Sequence, residues 1–388
     1  MKKKQEQARG RPDFLLLILT LLLVGFGLVM VFSASSNIAV VSDKFGRDAF
    51  YFVKRQLLFA GVGTIGLFLL MNISYERYKK LFFLYFIFVI ILLILVPIVG
   101  VERNGAKSWL GIGTFGIQPT EFAKLAIILY LGRLITKKGE KFRDFKRGLL
   151  PVYVIVGLVC SLIMLQPDLG SCLILAMCAG IMIIAGGSNL KQVFYSGIMI
   201  SLVVALAVSI SITVAPEKWG YRIDRFTSFL HPLENIKTSG YHLSHSLFAL
   251  GHGGFSGAGF GAGVQKLHYL PYPYNDFIFA VIAEELGFIG SLLFLACYLL
   301  FIWRGLIIAL RCPDLYGTVV GTGVISLIAI QAIINIGGVT GIMPITGVPL
   351  PLISYGGSSL LVTLASVGIL LSISRISHPK ETTNPRTR

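Results

Sequence analysis

Long apolar runs separated by short polar segments dominate the chain, near positions 14–33, 51–71, 81–100, 119–136, 150–166, 169–187, 192–214, 276–303, 315–337 and 357–375. A hydrocarbon layer of ~30 Å takes roughly 20 apolar residues to cross as a helix, and each run is of that order. The pattern predicts an all-α polytopic membrane protein with about ten transmembrane helices, a single integral membrane domain over 1–388. An even number of crossings puts both ends, 1–13 and 376–388, on one side. Between the seventh and eighth runs lies a polar, glycine-rich segment, 215–275, far longer than a helix connection needs. It reads as a long extracytoplasmic loop. The first run is too long for the apolar core of a cleaved signal peptide, so it is expected to be a retained helix.

Composition agrees: 55% of residues are hydrophobic, 13% charged, and the mean hydropathy is +0.80. A soluble protein is excluded. The net charge of +16 changes the picture only through its distribution. With the N-terminus inside, the inner segments hold 22 of the 34 Lys and Arg, so the charge follows the rule that basic loops stay cytoplasmic and touch anionic lipids. Scattered among short loops, these residues form no basic stripe with interleaved aromatics, and nucleic acid is not a partner. Four of the five cysteines fall inside predicted spans and Cys312 faces inward, so no disulfide framework is readable.

Charges inside spans are costly, which makes each a candidate for function. Glu121 and Lys124 lie three apart on the fourth span, where they either brace helices as an ion pair or face a polar cavity. Asp168, after Pro167, either caps the sixth span or contacts substrate or metal. Asp276, at the mouth of the eighth span, suits an N-cap, yet Glu284 and Glu285 follow on the same span. On an ideal helix Glu284 lies about 80° from Asp276 and Glu285 about 180°, so only Glu284 is expected to share its cavity. A partly desolvated carboxylate at the water boundary is what a general base for a hydroxyl requires.

In the long loop, Arg222 and Arg225 stand three apart; they suit a diphosphate, or an interfacial basic helix. Seven glycines between Gly251 and Gly263 either bring backbone amides to an anion or merely flex. His242 and His245 lack the spacing and glutamate of an HExxH zinc site, and no Walker motif is present. Two classes remain: an outer-face enzyme acting on a lipid-linked phosphate substrate, or a transporter of such a substrate. Polar features concentrate on one face and no internal repeat is seen, which favours the enzyme.

Several motifs resemble those of the SEDS family (FtsW, RodA and SpoVE), closest to the FtsW and SpoVE branch. They include NGAKSW (104–109), QPTEFAK (118–124), QPDLG (166–170), YRIDRFTSFLHP (221–232), QKLHYLP (265–271), DFIFAVIAEELGFIG (276–290) and PLPLISYGGSS (349–359), in family order over nearly the whole chain. The resemblance implies a peptidoglycan glycosyltransferase that polymerises lipid II into β-1,4-linked strands on the outer face of the bacterial cytoplasmic membrane. It implies Asp276 as the catalytic base and an inverting displacement of undecaprenyl diphosphate. Arg222, Arg225, Gln265, Lys266, Glu121, Lys124, Ser354, Tyr355 and Ser358 would bind substrate, with or without a divalent cation (Mg2+ or Mn2+) and with no organic cofactor. The implied partner is a class B penicillin-binding protein, the transpeptidase; the alternatives are a lipid II flippase or a scaffold without catalysis. Tyr272, Tyr274, Asn275, His242, His231 and Leu233 depart from the family pattern around the proposed site.

Overall fold

The computed structural model describes residues 10–103, 106–112, 115–214, 220, 229–230, 232–234, 236 and 240–377. The helices are α1 (Phe14–Val41), α2 (Tyr51–Asn72), α3 (Tyr75–Val99), α4 (Pro119–Lys138), α5 (Leu150–Met164), α6 (Leu169–Ala185), α7 (Leu190–Val214), α8 (Tyr241–Gly253), α9 (Ile278–Leu310), α10 (Leu315–Val339) and α11 (Gly357–Ser377). Among the described residues eight helices are long and apolar enough to cross a membrane. They are α1, α2, α3, α5 with its preceding turn, α7, α9, α10 and α11. The two other predicted runs form α4, which carries charges at both ends, and α6, which has only 17 residues. A small antiparallel sheet, β1 (Val101–Arg103), β2 (Ala106–Ile112) and β3 (Phe115–Ile117), in the order β1-β2-β3, joins α3 to α4.

Lipid tails are as apolar as leucine, so helix association depends on close packing and hydrogen bonds. The centre is α10: 83% of its apolar window is buried, against none of α7's. Glycines permit the closest approaches. A Cβ on Gly63 of α2 would sit 2.6 Å from Leu364 of α11, and one on Gly368 of α11 would sit 2.9 Å from the Leu67 carbonyl. At the end of the bundle opposite the sheet, Asp13 caps α1 by accepting from the Leu16 amide and also pairs with Arg304 of α9. Lys79 of α3 pairs with Asp314, which precedes α10.

The glycine run is ordered against α9, and at Gly261 it gives an amide to the buried Glu285 carboxylate. Helix α9 breaks at Gly287 (φ 66, ψ −167), and the residues after α8 fill the break. The amides of Ala258 and Gly259 donate to the carbonyls of Glu284 and Glu285, while Phe288 and Ile289 donate to the carbonyls of Gly254 and Phe255. A Cβ on Gly253, Gly257 or Gly287 would meet backbone atoms at 2.1–2.2 Å. Glycine at these places is thus a condition of backbone-to-backbone contact. Unpaired backbone is expensive at membrane depth, and the loop supplies the missing partners.

Candidate active site

Asp276 sits in the turn before α9, half-buried. The helix N-cap position is Phe277 and no side chain caps it, so capping does not account for the acid. Three hydrogen bonds tie the turn to its surroundings. Asn335 of α10 donates to the carbonyls of Asp276 (2.8 Å) and Val348 (2.7 Å). The Ser354 hydroxyl donates to the Asn275 carbonyl (2.7 Å), and the Tyr355 amide to the Tyr274 carbonyl (2.9 Å). Gln56 of α2 in turn brackets the Ser354–Gly356 backbone, donating to the Ser354 carbonyl and accepting from the Gly356 amide. Tyr274 packs against Phe52 and Tyr355, and burial pushes its phenol well above the usual tyrosine range, so it stays protonated.

A cavity of about 420 Å³ opens at this end of the bundle, and Asp276 lines it. Around it stand Lys124 and Glu121 of α4, Arg55 of α2, Asp168 just before α6, Tyr355 just before α11 and Ser358 in its first turn. Lys124 donates to Glu121 at 2.7 Å and both are buried, so the intramembrane charges neutralise each other at the cavity wall. Asp168 caps α6, its carboxylate accepting from the Ser171 amide, and it also borders the cavity. Ser358 receives the Gln118 amide, which registers the start of α4 against the start of α11.

The sequence-predicted residues divide. Asp276, Glu121, Lys124, Tyr355 and Ser358 converge on the cavity, and Ser354 acts from behind the wall. Lys266 does not line it: its ammonium is buried 2.5 Å from Glu285 and 2.8 Å from the Ser33 hydroxyl, spent on an internal ion pair. Gln265 is likewise elsewhere, its side chain against His245 and its amide on Glu284. Glu284 does not share the Asp276 cavity; it accepts from the amides of Val264 and Gln265 and contacts His252. Arg222, Arg225 and His231 lie outside the described residues. His242 stacks on Phe277, and Tyr272, Tyr274 and Asn275 line the cavity, so most departures do ring the site. Arg55, Gln56 and Asn335 were missed; each is a polar residue in an apolar helix, and that cost was the signal.

No group of three or more His, Cys, Asp or Glu side chains assembles among the described residues. Asp276, Asp168 and Glu121 border one cavity without drawing together as such a group.

The fold and cavity define a multi-pass membrane protein with a carboxylate and cationic groups gathered at one end of its helix bundle. Its family model is that of the FtsW/RodA/SpoVE cell cycle proteins, matched over residues 13–378, and the chain belongs to that family. It is 46% identical to Stage V sporulation protein E of Bacillus subtilis over 370 residues, 94% of this chain and 98% of that one. It is 39% identical to a probable peptidoglycan glycosyltransferase FtsW of Trichlorobacter lovleyi, covering 93% of each chain. Among solved structures, a chain from a peptidoglycan synthase complex that coordinates polymerization and crosslinking superposes with a TM-score of 0.74 at 28% identity, covering 95% of this chain and 98% of that one. The rod shape determining protein RodA of Thermus thermophilus gives 0.66 at 27%, covering 94% and 97%.

Proposed function

We propose that this chain is a peptidoglycan glycosyltransferase that polymerises lipid II into β-1,4-linked strands, with Asp276 as general base. The observation that carries the reading is the placement of Asp276 in one cavity with Arg55 and the Lys124–Glu121 pair. The acceptor sugar must lose the proton of its 4-hydroxyl as that oxygen attacks the anomeric carbon, and the carboxylate takes it. The new C–O bond forms as the bond to the donor's diphosphate breaks, and undecaprenyl diphosphate leaves with the electron pair. Arg55 and Lys124 offer cationic side chains for the charge that develops there, with Arg222 and Arg225 as further candidates from the long loop. One displacement on an α-linked diphosphate yields the β-link.

The cavity end faces outward in this reading and both termini face the cytoplasm, which the basic inner segments support. A class B penicillin-binding protein is the proposed partner. Similarity to a component of a synthase complex supports that pairing.

The test is the purified full-length protein in vesicles, with and without the partner, incubated with labelled lipid II. Asp276→Asn should fold and insert normally while polymerisation falls ~10²–10⁴-fold, about 3–5.5 kcal/mol of barrier. Equal strand synthesis by the variant removes Asp276 as the base. Head-group transfer across the bilayer by a wild-type protein that makes no polymer identifies a flippase instead.

A further inference from the structure

We infer that Asn335 is the positioning residue of the Asp276 base, an inference that rests on the reading above. Asn335 is buried on α10, the most enclosed helix of the bundle. Its Nδ2 donates at once to the Asp276 carbonyl and to the Val348 carbonyl. Both partners can only accept, so the amide orientation is fixed by chemistry and both of its hydrogens are used.

Asn335 therefore joins two separate segments across the cavity wall. One is the turn that carries the base. The other is the irregular stretch Thr346–Pro349, which lines the same cavity and whose Gly347 faces the base. Gly347 adopts φ 76, and a Cβ on it would lie 3.7 Å from Asp276 Oδ2. The ties from Ser354 and Tyr355 reach the turn at Asn275 and Tyr274; the Asn335 tie reaches Asp276's own carbonyl.

A buried polar side chain on a membrane helix has a simpler way to satisfy itself. Ser366 of α11 donates to the carbonyl of Val362 one turn back on its own helix. Asn335 instead spends both hydrogens outside its helix, on the base-bearing turn and on the stretch beside it. Its role is to set where the carboxylate stands in the cavity in which acceptor oxygen and donor carbon must meet.

The experiment uses the full chain in nanodiscs with its transpeptidase partner. Asn335→Leu keeps the branching of the side chain, suits the bilayer and removes both donors. Gln331→Leu, one turn earlier, removes a buried amide outside this network and is the control. Asn335→Leu is expected to lower kcat for lipid II polymerisation roughly 10²-fold while KM stays within about twofold. Hydrogen exchange should rise at 274–277 and 346–350 together and nowhere else, and Gln331→Leu should move neither quantity. A role in stability alone would instead lower thermal stability, spread faster exchange along α10 and leave kcat per folded molecule unchanged; that result overturns the inference. So does faster exchange in only one of the two segments. Should the wild-type protein fail to polymerise lipid II, the glycosyltransferase reading falls, and the exchange experiment still decides the clamp by the same criterion.

Discussion

Replacing Lys266 with methionine should destabilise the protein and leave its affinity for substrate unchanged. The ammonium lies 2.5 Å from Glu285 Oε1 and 2.8 Å from Ser33 Oγ, and both charged side chains are almost wholly buried. Methionine fills the space of the stem but strands the Glu285 carboxylate, which keeps only the Ser33 hydroxyl and the Gly261 amide as donors. Removing one partner of a buried pair costs about 3–5 kcal/mol, chiefly the penalty of the charge left behind. The double variant Lys266→Met with Glu285→Gln removes that charge, so most of the loss should return. Thermal unfolding of the detergent-purified proteins measures the first quantity, and KM for lipid II the second. A Lys266→Met protein of unchanged stability and raised KM would place the ammonium on the substrate and refute the structural assignment. Failure of the double variant to recover stability would refute the electrostatic argument behind it.

Arg55→Ala should lower kcat/KM for lipid II by at least ~10-fold with no loss of folded protein, because the guanidinium borders the cavity; unaltered kinetics would remove Arg55 from the site. Gly347→Ala must hold an alanine at φ 76, at a cost of about 1–2 kcal/mol, and sets a methyl against Asp276. The protein should still be recovered from the membrane but polymerise more slowly, which steady-state rates on equal amounts of folded protein will show. Gly27→Ala drives a Cβ to 2.7 Å from the Leu352 carbonyl and 2.8 Å from Ile353 Cα. Helix α1 must then move off that turn, and a loss of about 1–3 kcal/mol should appear in thermal unfolding.

The ten-run pattern was legible because hydrocarbon imposes length and polarity on every crossing. Helix limits were less so. Tyr75, Glu76 and Lys79 looked like loop, yet they begin α3, where Lys79 finds Asp314. Arg304 likewise looked like the end of a span, but α9 continues to Leu310, and Asp13 receives the guanidinium. Asp276, Glu121 and Lys124 could be picked out as charges the bilayer disfavours, and the cavity gathers them. Glu284 was misplaced for a geometric reason: the 100° rule was run from Asp276, which stands in a turn two residues before α9 begins, so its azimuth was never that of the helix. Lys266 was misplaced because a sequence shows a charge and hides its partner.

The break in α9 at Gly287 makes the lower half of that helix conditional on chain made before it. Ribosomal synthesis delivers residues 254–259 first, but their backbone partners exist only once α9 has emerged, and the amides of Phe288 and Ile289 wait for them in turn. That pairing, a glycine strap slotted into a notched rod, can close only after both segments have been made. Exchange at those two amides gives a clock for it.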